Sequence, residues 1–189
     1  MISIAITNFN REQMLYESIA QVIDDERVSE VIISDDCSDY EMYKRIVEYY
    51  KPWDKVKVSR TDTNIGCYRN KRRAVSLASK KWVVLFDSDN IMGVDYLESI
   101  FCFRWGDPKQ LMQPVFARPH FNFSKYAGLS ISRHNVTHFA GDETFCTALN
   151  AMNYVVNRDQ YLKVWDADIK EPWTADSIYM NMKWLEAGN

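Results

Sequence analysis

Two carboxylates, Asp87 and Asp89, follow directly on the apolar run Trp82 to Phe86. Set at a strand end, Asp87-Ser88-Asp89-Asn90 can present oxygen ligands to one hard divalent cation, and a cation so held can bridge the phosphates of a nucleoside diphosphate. A departing diphosphate gathers negative charge, which a divalent ion stabilises where it develops. The same string also serves elsewhere as a solvated turn or as a helix cap, here ahead of Val94. A second acidic pair, Asp35-Asp36, follows Val31 to Ser34. Its oxygens suit a pyrimidine ring nitrogen or ribose hydroxyls; the alternative is a charged turn with Ser38 capping the next helix. Asn64-Ile65-Gly66-Cys67-Tyr68-Arg69-Asn70 puts a glycine where backbone must pass closely and an arginine at a helix start, an arrangement that suits an anion. Its alternative is a helix N-terminus whose basic face, Lys71, Arg72 and Arg73, is solvated.

These clusters need elements to hold them. Ile2 to Ile6 reads as a strand, Thr7 to Asn10 as a turn, and Glu12 to Ile23 as a helix. The unit repeats with strand Val31 to Ser34 and helix Tyr40 to Tyr50, ended by Pro52, then with strand Val56 to Ser59, a polar loop from Asp62 to Gly66, and helix Tyr68 to Ser79. Trp82 to Phe86 is a fourth strand. Strands that alternate with helices need crossover connections, so the expected fold is α/β, with a mainly parallel central sheet and helices on both faces. Ligands in such sheets collect at the carboxyl ends of strands, where all of these polar clusters fall. Beyond Asp95 a short helix to about Phe103 is expected, then a mixed region from Gly106 to Asp142 with Pro108, Pro114 and Pro119. A strand over Ala151 to Asn157, a helix over Arg158 to Val164 and a helix over Thr174 to Glu186, capped by Thr174, complete the reading.

At 189 residues the chain suits one domain. Lysine plus arginine (23) nearly balance aspartate plus glutamate (26), so no global field favours nucleic acid, and any anion site must be local. Cys37, Cys67, Cys102 and Cys146 lack zinc-site spacing and are too sparse for a disulfide framework, which makes reduced, cytoplasmic thiols the expectation. No apolar stretch approaches the roughly 20 residues of a transmembrane span, and Met1 to Ile6 has no basic region before it. The ending Lys183 to Asn189 reads as a helix stop and suggests a domain cut from a longer protein.

The motifs in this order, Thr7-Asn8-Phe9-Asn10-Arg11, Ile32 to Ser38, Asn64-Ile65-Gly66 with Arg69-Asn70, and Val83 to Asn90, resemble the family-2 glycosyltransferases of the GT-A fold. The resemblance implies a Rossmann-like sheet, a nucleotide-sugar donor, usually a UDP-sugar, and a Mn²⁺ or Mg²⁺ ion. It implies a donor site of Thr7, Phe9, Arg11, Asp36, Asn64, Gly66, Arg69, Asp87 and Ser88. In that site Thr7 and Phe9 lie beside base and ribose, Asp36 holds the uracil ring, and Arg69 is near the phosphates or sugar. Asp87 faces the ribose or sugar, and Asp89, with Asp87 beside it, is the metal ligand. Residues 1–90 would form the nucleotide-sugar half, and residues 91–189 the half that takes a saccharide, glycolipid or glycoprotein acceptor. Thr174-Ala175-Asp176-Ser177 resembles the family's Glu-Asp segment, with alanine where a glutamate or glycine is frequent, and Asp176 is the implied base of an inverting displacement. Trp165 and Trp173 flank the implied acceptor entrance, while His120, His134 and His138 receive no role. The alternatives are a nucleotide-sugar-binding scaffold without turnover, and a sugar-phosphate nucleotidyltransferase, whose glycine-rich signature is missing from Ile2 to Arg11.

Overall fold

The structure is a computed structural model that describes residues 1–119, 121–150, 153–168 and 176–188. The chain runs β1 (Ile2–Asn8), α1 (Glu12–Ser18), β2 (Val28–Asp35), α2 (Tyr40–Tyr50), β3 (Val56–Arg60), α3 (Cys67–Leu77), β4 (Trp82–Asp87) and α4 (Val94–Cys102). It continues with β5 (Phe116–Ala117), β6 (Phe121–Asn122), α5 (Glu143–Asn150), β7 (Val155–Asn157), α6 (Arg158–Val164) and α7 (Asp176–Glu186). Five strands form one sheet in the order β3-β2-β1-β4-β7. The first four are parallel, and β7 joins β4 antiparallel, so the second half of the chain completes the sheet begun by the first. β5 and β6 form a separate hairpin.

Alternation along the buried strands builds two cores. Ile2, Ile4 and Ile6 of β1 point to one face with Ile33, Val84 and Phe86, where they meet Leu15 of α1, Ile46 of α2 and Leu97 of α4. Ala5, Ile32, Val83 and Leu85 point to the other face, against Tyr68 and Val75 of α3, Tyr161 of α6 and Trp184 of α7. Helices therefore cover both faces, as the βα alternation requires. The chain order reverses at β1: β2 and β3 were laid to one side, β4 to the other. The switch point of this sheet lies at the carboxyl ends of β1 and β4, the place where ligands of open α/β sheets gather.

Some boundaries move. α1 stops at Ser18 instead of Ile23, because the Ser18 carbonyl accepts the Met92 amide at 2.7 Å in place of a further helical turn. Ile19, Val22 and Ile23 remain buried, so their spacing marked core contact, and the residues themselves lie in turns. Asn153 has φ +77, and the strand expected from Ala151 starts only at Val155. Ala151, Met152, Thr174, Ala175, Trp173 and His120 lie outside the described residues, and the proposed Thr174 cap lies there with them. The mixed region contains the β5–β6 hairpin and two short 3-10 turns, and its Tyr126 and Phe139 pack with Phe145 of α5. Among the described residues no helix is long and apolar enough to cross a membrane.

Glu30 of β2 ties three elements together from inside the protein. Its carboxylate accepts from the Ser3 hydroxyl of β1 at 2.6 Å and from the amide and hydroxyl of Ser79, just beyond α3, with Lys57 at 3.4 Å. Burial pushes this carboxyl up, but the hydrogen bonds from Ser3 and Ser79 and the pull of Lys57 outweigh it and hold it down to about 2. A depressed carboxyl supplies its stability in full above the unfolded value, about 4.5, and loses it as pH falls towards 2. We expect Glu30→Gln to melt earlier at neutral pH, by on the order of 2 kcal/mol. Its stability should also fall less steeply than the native chain's between pH 4.5 and 2 in thermal melts.

Candidate active site

Hydrogen bonds carry the strand pairing past the ends of β2, β1 and β4. Across the switch point Thr7 of β1 lies opposite Asp87 of β4, and its hydroxyl donates to Asp87 Oδ1 at 3.2 Å. Beyond them the Ser88 amide donates to the Thr7 carbonyl at 3.3 Å, and the Asp36 amide to the Asn8 carbonyl at 2.8 Å. Asp36 and Asp89 thus stand on one edge with β1 between their strands, two strand spacings or on the order of 10 Å apart.

Asp36 is 3% exposed, and its carboxylate organises the loop after β3. Oδ1 accepts the Ile65 amide at 2.8 Å and the Thr61 hydroxyl at 3.3 Å, and Oδ2 accepts the Gly66 amide at 2.9 Å. Asn64 Oδ1 also accepts from Gly66, at 3.0 Å. Gly66 has φ +84 and ψ 156, backbone that only glycine adopts without strain, and it starts α3 directly under the Asp36 carboxylate. The neighbouring Asp35 is fully buried and holds the turn, accepting from Asn8 Nδ2 at 2.8 Å and from the Ser38 amide at 3.0 Å. The cap of α2 is Asp39, whose Oδ1 accepts the Glu41 and Met42 amides, and Ser38 is not the cap.

α3 is docked on the end of β2 by Asn70, which exchanges hydrogen bonds with Ser34 at 2.6 and 2.9 Å. That register carries Lys71 inward. Its side chain is 6% exposed, with Nζ 3.3 Å from Asp87 Oδ1 and 2.5 Å from Asp176 Oδ2. Burial draws the ammonium's pKa down, but Asp87 and Asp176 outweigh that and hold it above the ordinary lysine value. Asp176, the first residue of α7, is 14% exposed, and the ammonium it shares with Asp87 places it beside the end of β4 although it is far away in sequence. At the rim Asp89 pairs with Arg11 at 2.7 Å, with both side chains part-exposed, and Asn90 donates to Asp89 at 3.1 Å. Phe9 and Arg69 are exposed, and Arg69 makes no ion pair among the described residues.

The solvated basic face offered for α3 forms only in part: Arg72 is exposed, over the Trp165 ring at 4.9 Å, while Lys71 is buried and Arg73 donates to the Ser34 and Ser59 hydroxyls. Tyr68, Lys71 and Val75 are spaced i, i+3 and i+7, the stripe of a buried helix face, and that spacing was the signal for an inward lysine. Trp165 stacks on Tyr68 with centroids 5.1 Å apart. Among the described residues no group of three His, Cys, Asp or Glu side chains converges, and His134 and His138 are exposed on the far segment. A cavity of about 440 Å³ bounded by Ile178, Met182 and Leu185 shares no residue with this edge.

With this geometry in place, residues 3–110 match the profile of Glycosyl transferase family 2. The chain belongs to this family. No curated protein sequence matches it. The family-2 chain is similar in fold to S. aureus TarS 1-349 in complex with UDP-GlcNAc, with a TM-score of 0.72 at 17% identity over 100% of this chain and 54% of the other. The same fragment without a named ligand gives 0.70 at 18% identity over 100% and 56%. Glucosyl-3-phosphoglycerate synthase from Mycobacterium tuberculosis in complex with UDP gives 0.68 at 17% identity over 99% and 66%. At such identities the likeness establishes the GT-A fold, and the chain spans about half the length of the TarS fragment.

Because Asp36 holds the loop after β3 by backbone amides, Asp36→Ala is expected to loosen that loop first. The Ile65 and Gly66 amides should exchange faster with deuterium, and stability should fall by on the order of 2 kcal/mol in urea titration. Unchanged exchange at these two amides would reject the assignment.

Proposed function

We propose that this family-2 chain is the donor-binding and catalytic region of a metal-dependent, inverting glycosyltransferase. In this reading it moves a sugar from a nucleoside diphosphate, most simply UDP, to a hydroxyl of a saccharide, glycolipid or glycoprotein. The observation that carries the reading is the gathering of Thr7, Asp36, Asp87, Asp89 and Asp176, from four elements and the loops after them, on one edge at the switch point. UDP as the nucleotide is supported by the UDP complexes among the similar structures.

Thr7 and Phe9 line the base and ribose side with Arg11. Asp36 reads the uracil ring while shaping the loop of Asn64 and Gly66, and Arg69 faces the phosphates from the first turn of α3. Asp89, with Asp87 and Ser88 beside it, would hold a Mn²⁺ or Mg²⁺ ion. The carboxylate oxygens suit a hard cation, which commonly takes one or two carboxylates and completes its shell with substrate phosphates and water. When bound, that ion neutralises charge on the departing diphosphate. The Arg11 guanidinium at 2.7 Å from Asp89 already places a positive charge at this carboxylate. Asn8 Oδ1 and Ser88 Oγ are buried at the same edge without a hydrogen-bond partner among the described residues, and a bound ligand with its waters can satisfy them. Asp176 takes the proton of the acceptor hydroxyl as its oxygen bonds to the anomeric carbon, and the bond from that carbon to the diphosphate breaks on the opposite side, inverting the centre.

One observation favours a second reading, a nucleotide-sugar-binding scaffold without turnover: the Asp176 carboxylate is already engaged by Lys71. Calorimetry with UDP and Mn²⁺, followed by a UDP-release assay, separates the two, since the scaffold binds without releasing. Asp89→Ala is expected to abolish Mn²⁺-dependent UDP binding, and an unchanged affinity would remove Asp89 from the cation site. Asp176→Asn should bind Mn²⁺ and UDP as the native chain does and lose transfer by about a thousandfold in kcat. Near-native turnover would place the base elsewhere.

A further inference from the structure

We infer that Lys71 is a positioning residue for transfer: its buried ammonium clamps the base Asp176 to Asp87 and so sets the acceptor side of the site against the donor side. The inference rests on the reading of Asp176 as base.

Lys71 belongs to none of the motifs that carry the family resemblance, and its place follows from how α3 docks. The exchange between Asn70 and Ser34 fixes the helix on β2, Tyr68 and Val75 seat it in the second core, and the residue between them has nowhere to go but the switch point. There the ammonium meets two carboxylates that the chain brings from separate elements. The same Asp87 oxygen, Oδ1, accepts the Thr7 hydroxyl, so a continuous polar chain runs from Thr7 of β1 through Asp87 of β4 and Lys71 of α3 to Asp176 of α7. A lysine suits this position because it is a compact point charge with three donors, able to serve two carboxylates that are not coplanar.

Removing the charge changes the site in a definite way. Asp87 and Asp176, both largely shielded from water, would face one another with no counter-charge between them. Asp176 then loses the contact that holds it and swings away from the donor edge, which lowers the rate of transfer. Asp36, the Asn64–Gly66 loop, Asp89 and the Thr7 hydrogen bond to Asp87 stay in place, so capture of the donor should survive. A residue that merely held the fold would lower donor binding and turnover together.

The test uses the native chain, Lys71→Met, Lys71→Arg, Asp176→Asn and the double variant Lys71→Met/Asp176→Asn. Two quantities are read: UDP affinity by calorimetry in Mn²⁺, and UDP release from UDP-GlcNAc or UDP-glucose, whichever the native chain turns over. Lys71→Met is expected to keep UDP affinity and donor KM within about threefold and to lose about a hundredfold in kcat. Lys71→Arg, which keeps the charge on a bulkier planar group, should stand about tenfold below the native chain. In the double variant the losses should not multiply, because both substitutions disable one unit. Native kcat in Lys71→Met beside a lost kcat in Asp176→Asn would overturn this inference and leave the base assignment standing, and so would losses that multiply. Native kcat in Asp176→Asn, or a native chain that turns over neither donor, would overturn the base reading and this inference with it. If Lys71→Met fails to fold by circular dichroism, Lys71→Arg decides, and native kcat in that variant overturns the proposal.

Discussion

Parallel pairing of β1 with β2 on one side and β4 on the other is the constraint from which the rest of this molecule follows. Parallel neighbours end on the same edge of a sheet, so the residues that follow each strand are delivered to one place whatever their separation in sequence. Thr7, Asp36 and Asp87 come together for that reason, and the peptide hydrogen bonds that run past the strand ends keep them there. The hydrophobic cores on the two faces make the register expensive to shift, because a slip of one residue would turn every buried isoleucine and valine of β1 and β2 to the wrong side.

On that frame the polar groups of the edge do two kinds of work. Asp35, Asp36 and Asn70 spend most of their hydrogen-bonding capacity on backbone and neighbouring side chains, and they shape loops that the sheet alone would leave loose. Asp87, Asp89 and Asp176 instead face cations supplied by side chains, Lys71 inside and Arg11 at the rim. The inner pair sits where water is scarce, so its charges matter more per ångström than the outer pair, which is part-exposed and screened. A gradient from buried, closely hydrogen-bonded groups at the strand ends to part-exposed charge at the rim is what a site needs if it is to hold its shape and still exchange ligands.

The second half of the chain is less regular and still indispensable to the edge. β7 extends the sheet beyond β4, Asn153 Oδ1 accepts the Asp87 amide at 3.1 Å, and α7 brings Asp176 to Lys71. The end of β4 is therefore buttressed by residues that lie about 65 to 90 positions further along the chain, as measured from Asp87 to Asn153 and Asp176.

How much of this was legible in the residues differs by element. β3, β4, α2 and α6 stand at or within a residue or so of their sequence boundaries, because apolar period and turn chemistry are local signals. The end of α1 was not, since it depends on a contact from Ser18 to Met92 that no local pattern carries. The motif order from Thr7 to Asn90 sufficed to name the family and the acidic edge, because each motif directly follows a strand and parallel strands deliver such segments together. What only the tertiary structure decided was which carboxylates Lys71 meets, the engagement of Asp36 by loop amides and the meeting of Asp87 with Asp176. Those depend on how α3 and α7 pack on the sheet, and packing is a property of surfaces brought together by folding, which a residue's neighbours in sequence do not encode.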